Sequence, residues 1–168
     1  TTLTSPSGTA YTSTVKAESG ELTLHKVFGA TISCGKSNLE GKVEQHGNGV
    51  TAKGNLSSLT FSECEGNDVT VKAAGSLEVH ATSGGNGIVT STGAEISIQL
   101  TGLGITCIYT TNGTQIGTLT GSNSTKAKLD LEGSSIPRTG GSIYCGSSGE
   151  LTGSYTVTTP STLYVDEG

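Results

Sequence analysis

The chain has 168 residues and a net charge of -5, and Gly, Thr and Ser together supply 76 residues, or about 45% of it. Its nine basic residues are scattered, so there is no basic stripe of the kind that binds nucleic acid. No run of about 18 apolar residues occurs, which excludes a transmembrane helix, and Leu, Ile, Val and Phe are frequent enough to expect a folded chain.

Short runs of alternating apolar and polar residues recur in chain order, and no segment keeps helical spacing over three turns. Turn signals such as Gly47-Asn48-Gly49 and Asn112-Gly113 separate these runs. Strands are predicted for residues 9–15, 21–28, 30–34, 39–46, 56–64, 69–74, 76–81, 87–92, 94–100, 105–110, 114–119, 126–131, 143–145, 151–158 and 162–165. This spacing predicts an all-β fold, an antiparallel β-sandwich or barrel with little or no helix.

The two halves of the chain resemble each other in four matches that keep the same order. For example, Glu21-Leu22-Thr23-Leu24 precedes the first cysteine as Glu95-Ile96-Ser97-Ile98 precedes the third. We therefore predict an internal tandem duplication, with repeats at 1–81 and 82–168 and a closing C-terminal strand in the second. The alternative is that both halves merely share a Thr/Ser/Gly bias.

The four cysteines are spaced 30, 43 and 38 residues apart, which lacks the close Cys-x-x-Cys pairs of a zinc site. Such cysteines are typical of disulfides in an exported protein. If each repeat carries its own pair, the bonds are Cys34–Cys64 and Cys107–Cys145. Because the first residue is not Met, we also expect that an export signal has been removed.

Two Glu-x-His pairs are the candidates for chemistry: Glu44 with His46, and Glu78 with His80. Residues two apart lie on the same face of a strand, and with His25 they would be enough ligands for zinc or for an acid–base pair. The simpler interpretation is a solvated strand face, since the apolar neighbours of Glu78 and His80 mark the opposite face as the core side. We therefore predict no catalytic, cofactor or metal site.

Two shorter segments have a similar pair of interpretations. Oxygen ligands for calcium crowd around Cys64, at Glu63, Glu65, Asn67 and Asp68, but a hairpin turn tied by a disulfide explains them as well. Residues 136–140 resemble the pentapeptide that sortases cleave, yet the chain continues toward a strand and ends acidic. For this segment we predict a turn.

The whole chain resembles uncharacterised secreted Gly/Thr-rich β proteins of Gram-positive bacteria, especially in residues 136–149 and 153–165. The stretches Thr-Gly-Gly-Ser, Cys-Gly-Ser-Ser and Thr-Thr-Pro-x-Thr-Leu-Tyr-Val carry this resemblance. It implies an exported, two-disulfide β protein and no particular activity.

Three functions follow as hypotheses, in decreasing order of support. The first is a secreted structural or cell-surface protein, non-catalytic, that associates with itself through edge or terminal strands or with cell-surface material. The second is an extracellular glycan- or ligand-binding β module, which a chain with five Tyr and no Trp supports weakly. The third is a metal-dependent enzyme that uses the two Glu-x-His pairs.

Overall fold

The structure is a computed structural model that describes residues 1–5, 7–28, 31–121 and 126–167. Every regular element in these residues is a β-strand, so the predicted all-β class is confirmed. In the same residues there is no helix of the length and apolarity needed to cross a membrane. The strands, numbered in chain order, are β1 (Thr2–Thr4), β2 (Thr14–Ser19), β3 (Leu22–His25), β4 (Ile32–Cys34), β5 (Lys36–Gln45), β6 (Ala52–Ser62), β7 (Asp68–Ala73), β8 (Ser76–Ala81), β9 (Gly87–Thr92), β10 (Glu95–Leu100), β11 (Ile105–Thr110), β12 (Thr114–Thr120), β13 (Lys128–Gly141), β14 (Ser148–Thr159) and β15 (Tyr164–Asp166).

Eight antiparallel strands close into a barrel in the order β2-β5-β6-β8-β9-β12-β13-β14, and β14 pairs with β2 to complete the ring. The alternating pattern explains this arrangement, because every second side chain points inward. Buried residues such as Ala17, Val79, Val89, Leu129 and Val157 form the core inside the barrel. Of the two predicted architectures, the barrel is therefore the one observed.

A second core lies at one end of the barrel and contains all four cysteines. The hairpin β3-β4 adds to the edge of β14, and β7, β10 and β11 add to the end of β13. The disulfide bonds join Cys34 to Cys64 and Cys107 to Cys145, which are the predicted pairs. Both bonds therefore stabilise the same end of the molecule.

The terminal strands β1 and β15 pair with each other at the opposite end of the barrel. Leu3, Leu163 and Val165 are buried there against the barrel core. We expected the C-terminal strand to complete the sheet of the second repeat, but β2 already occupies the free edge of β14. The strand closes the end of the barrel instead of its wall.

Corresponding strands of the two predicted repeats pair in the same way. The series β2-β5-β6-β8 in the first half matches β9-β12-β13-β14 in the second, and each half supplies four barrel strands. The halves also exchange a strand, since β3 pairs with β14 and β10 pairs with β7. The duplication itself stays a prediction, and the two halves share one barrel.

Three segments differ from their predicted structure. The first predicted strand, 9–15, is wrong, because regular pairing with β5 begins only at Thr14. The predicted turn at 136–140 is also wrong: Pro137 lies in β13 opposite Ser148, and the chain reverses only after Gly141, whose φ is +86°. Residues 143–145, predicted as a strand, form that reversal. The first residue of the predicted strand 30–34 lies outside the described residues.

Candidate functional site

The two Glu-x-His pairs lie on the outer surface of the barrel. The carboxylate of Glu78 is 3.7 Å from Lys53 Nζ and 3.9 Å from His80 Nε2. The carboxylate of Glu44 accepts a hydrogen bond of 2.9 Å from the side-chain amide of Asn55. These are exposed or partly exposed surface contacts, which contribute little to stability.

His25 belongs to a different part of the molecule. It lies on β3, where its Nε2 is 3.3 Å from the hydroxyl of Thr152 and its Nδ1 is 3.4 Å from the hydroxyl of Thr31. The structure thus places His25 in a β3–β14 pairing outside the barrel strands that carry the two pairs. Among the described residues, no group of three or more His, Cys, Asp or Glu side chains is placed to hold a metal ion.

The segment around Cys64 is a turn whose polar groups bind the chain itself. The side-chain amide of Asn67 donates to the carbonyl oxygen of Cys64 at 3.2 Å, and its oxygen accepts from the backbone N–H of Thr101 at 3.0 Å. Glu63 and Glu65 have φ of +58° and +57°, values that a sharp reversal requires. The Asn67 side chain therefore joins two loops.

Three loops form the surface at the disulfide end, and we call residues 63–67, 101–104 and 142–147 the loop surface. Two backbone hydrogen bonds attach the third loop to its neighbours: Gly146 N–H donates to Val27 at 2.7 Å, and Ser142 N–H donates to Thr106 at 2.9 Å. The hydroxyl of Tyr109 donates to the carbonyl oxygen of Gly146 at 3.0 Å. The pKa of this phenol is raised by burial, partly offset by the charge of Arg138.

Arg138 fixes the conformation of the loop 142–147. Its guanidinium donates to the carbonyl oxygens of Ser142 at 3.3 Å, Ile143 at 3.2 Å and Cys145 at 2.6 Å. A charged donor makes stronger hydrogen bonds than a neutral one, and a planar guanidinium holds several acceptors in fixed directions. The loop is thus held from inside by Arg138 and covalently by Cys145.

This rigid loop presents two large apolar side chains to solvent. Ile143 is 81% exposed and Tyr144 is 72% exposed, and Leu103, 54% exposed, lies on the neighbouring loop of the same end. Exposed apolar side chains on loops held by a rigid scaffold mark sites of interaction. Sequence reasoning missed this feature because Ile143 and Tyr144 were assigned to a strand; the signal was two large residues between Gly141-Ser142 and Cys145-Gly146.

A polar groove of about 570 Å³ lies at the other end of the barrel, beside the terminal strands. Its walls combine hydroxyl groups, glycine backbone, one aromatic ring and two carboxylates. We call it the terminal groove, and its lining residues are Thr4, Ser5, Gly8, Thr82, Ser83, Gly84, Gly85, Tyr164, Val165, Asp166 and Glu167.

Glycine gives the terminal groove its shape. A Cβ atom at Gly85 would collide with the ring of Tyr164, so the ring lies directly against the backbone of the loop 82–86. Val165 N–H donates a hydrogen bond to the carbonyl oxygen of Gly85 at 3.0 Å, which joins β15 to the loop 82–86. The described lining includes Asp166 and Glu167 and no cationic side chain, which disfavours an anionic ligand.

No protein family, no curated protein and no solved structure matches this chain.

Proposed function

We propose that the protein is a secreted, non-catalytic structural protein of the cell surface that makes contact through its loop surface. The observation that carries this proposal is the pair Ile143 and Tyr144, two exposed apolar side chains on a loop that Arg138 and a disulfide hold rigid. A preorganised loop loses little conformational freedom when it binds. The partner is a second copy of the chain or cell-surface material.

The two disulfides support the extracellular part of the proposal, since such bonds persist in oxidising compartments. The terminal strands β1 and β15 are already paired with each other, which leaves them poorly suited to exchange between molecules. Self-association through the loop surface needs no strand exchange.

The experiment compares the oxidised wild-type chain with the double variant Ile143→Ser and Tyr144→Ser. Sedimentation velocity over a range of concentrations measures self-association, and a pull-down with a cell-surface preparation from the source organism measures attachment. We expect the wild type to associate in one of these assays and the double variant to lose that association. Val50→Ser is the matched control, because Val50 is 43% exposed at the opposite end of the barrel. A wild type that is monomeric and unattached, or a control that loses as much as the double variant, contradicts the proposal.

A second candidate function is the binding of an uncharged glycan in the terminal groove. Sugar sites combine hydroxyl and carboxylate groups with an aromatic face, and the groove offers these groups together in about 570 Å³. A glycan array followed by calorimetry tests it. Neutral glycans should bind the wild type and lose affinity for Glu167→Gln, while Glu132→Gln, a change of the same kind outside the groove, should not alter binding. An array with no neutral hit rejects this function.

A further inference from the structure

The two halves of the barrel differ where strands leave the barrel toward the disulfide end. In the second half β13 and β14 remain paired there, with Ser135 opposite Glu150, Ile136 opposite Gly149 and Pro137 opposite Ser148. In the first half the corresponding strands β6 and β7 share no ladder. β6 pairs with β8 only at residues 52–55, and β7 pairs only with β10.

We call the space between residues 57–62 of β6 and strand β7 the seam. Both of its ends are closed. At one end Leu56 N–H donates to the carbonyl oxygen of Gly75 at 2.9 Å, and at the other Cys64 follows β6 and is bonded to Cys34. The larger apolar residues beside the seam, Leu59, Phe61, Val69 and Val71, are only partly buried. The seam is therefore a bounded stretch of the wall that has no ladder hydrogen bonds across it and has apolar side chains beside it.

Two apolar cavities lie behind the seam. The lower cavity, of about 100 Å³, is inside the barrel near the terminal strands and is bounded by Leu3 and Leu163. The upper cavity, of about 60 Å³, lies between the barrel and the second core and reaches the seam at Phe61 and Ala74. The two cavities are neighbours, since they share the wall residues Leu39, Leu56, Leu77 and Leu129.

The residues that line the cavities determine which kind of ligand can bind there. Two pairs of polar side chains beside the upper cavity form hydrogen bonds: the hydroxyls of Tyr155 and Ser37 are 2.6 Å apart, and those of Ser91 and Thr111 are 2.8 Å apart. In the described part of the chain, no buried side-chain nitrogen or oxygen lacks a hydrogen-bond partner. The ammonium group of Lys53, whose residue also contributes to the lower cavity, pairs with a surface carboxylate. Lys42, the other lysine of the lower cavity, is an exposed residue. The buried polar atoms of the described residues thus offer no unpaired anchoring group to a charged or strongly polar ligand.

The size of the cavities limits the occupant further. A dry cavity of about 150 Å³ lined by Leu, Ile and Phe binds benzene or xenon. Water occupies a cavity only where several polar groups can form hydrogen bonds with it. The two neighbouring cavities are of this order and kind. We propose that the barrel interior is a binding site for a small uncharged apolar molecule, no larger than a single hydrocarbon ring, which enters through the seam.

Benzene is the probe for binding, measured as the rise in the thermal unfolding midpoint of the oxidised full chain. Wild type should be stabilised by benzene, since a ligand that binds only the folded state raises the midpoint. Ala52→Leu fills the lower cavity and Ala94→Leu fills the upper one, so each should lose at least half of the shift. Ala73→Leu is the control, because this exposed residue lines neither cavity and should leave the shift unchanged.

A second measurement needs no variant, which matters because a filled core can fail to fold. Xenon under pressure should occupy the barrel interior of the wild type, visible in a crystal or as a shifted xenon NMR signal. Absence of both a benzene shift and bound xenon overturns the proposal, and so does an equal benzene shift in wild type and both filled variants.

A separate experiment tests whether the ligand enters through the seam. It measures, from NMR line shapes, the rate at which benzene exchanges between the protein and solution. Val71→Ala widens the seam without changing the wall of either cavity, so exchange should become at least tenfold faster. Val50→Ala, a change of the same kind at an exposed residue outside the seam and both cavities, should leave the rate near that of the wild type. An unchanged rate in Val71→Ala shows that the ligand enters elsewhere and overturns this part.

Discussion

The hydroxyl of Tyr155 lies 2.6 Å from the hydroxyl of Ser37, a contact between residues 118 positions apart in the chain. Ser37 donates its own proton to the carbonyl oxygen of Thr60 at 2.7 Å, so it accepts the proton of Tyr155. Both side chains are almost fully buried. This pair joins β14 to β5 through a satisfied polar contact in the interior.

The two truncations of this pair should have unequal costs. Ser37→Ala leaves the phenol buried without a partner and should lower the free energy of unfolding by about 2–3 kcal/mol. Tyr155→Phe leaves Ser37 with its bond to Thr60 and should cost about 1 kcal/mol. Urea unfolding measures both, with Tyr144→Phe, an exposed change, as the control near zero. A larger cost for Tyr155→Phe than for Ser37→Ala would contradict this assignment of donor and acceptor.

Alkaline pH should destabilise the protein through the same phenol. Burial raises the pKa of Tyr155 to about 12, above its ordinary value of 10.0. The folded state therefore holds this proton more tightly than the unfolded state, and its stabilising effect is complete below pH 10 and is lost as the pH rises toward 12. Wild type should have the higher unfolding midpoint at pH 9, and its advantage over Tyr155→Phe should be lost or reversed at pH 11.5. An unchanged difference between the two midpoints would show that the pKa of Tyr155 is not raised in the folded state.

Much of the fold was predictable from local signals. Alternating residues in β8, β9 and β10 gave their boundaries to within a residue, because each strand has one face on a core. The failure at 9–15 has the opposite cause, since that segment alternates but has only an isolated bridge, between Ala10 and Thr4, before β2 begins at Thr14. Proline at position 137 favours a turn in the sequence, but in the structure β13 continues through Pro137 because the residues on either side of it pair with neighbouring strands.

The candidate surfaces could not be predicted in the same way. The loop surface depends on Arg138, whose three acceptors come from a loop that only the folded backbone brings to its guanidinium. The seam depends on pairing that is present between β13 and β14 and absent between β6 and β7. Nothing in the composition of these four strands distinguishes a paired from an unpaired edge.

Two glycines provide a matched test of backbone packing. A Cβ atom on Gly117 would collide with the carbonyl oxygen of Asp130 in the neighbouring strand, whereas a Cβ on Gly20 meets nothing within 4 Å. Gly117→Ala should therefore lower the free energy of unfolding by more than about 2 kcal/mol. Gly20→Ala should change it little or raise it by up to about 1 kcal/mol, because the unfolded chain loses freedom. Equal effects in urea unfolding would show that β12 and β13 are not this close.

The disulfides should be energetically coupled because both lie in the second core. Loops of 30 and 38 residues predict a loss of about 4 kcal/mol for each bond when its cysteines are replaced by alanine. Residues that share a core are not independent, so removal of both pairs should differ from the sum of the separate losses by at least about 0.5 kcal/mol. Guanidinium unfolding of the two paired variants and the fourfold variant measures this. Simple additivity would indicate that the bonds stabilise separate units.

Hydrogen exchange should reveal the unpaired seam directly. In residues 57–73, β6 pairs only with β5 and β7 only with β10. In the corresponding residues 132–150, β13 and β14 pair with each other across a bulge, and Glu150 of β14 also pairs with His25 of β3. Backbone groups that are bonded on both sides open less often, so we expect at least tenfold faster exchange in 57–73, about 1.4 kcal/mol of protection. Benzene should slow exchange in 57–73 and leave 132–150 nearly unchanged if the cavities behind the seam are occupied. Equal exchange in the two segments would mean that β6 and β7 are paired in solution and that the barrel wall is closed on both sides.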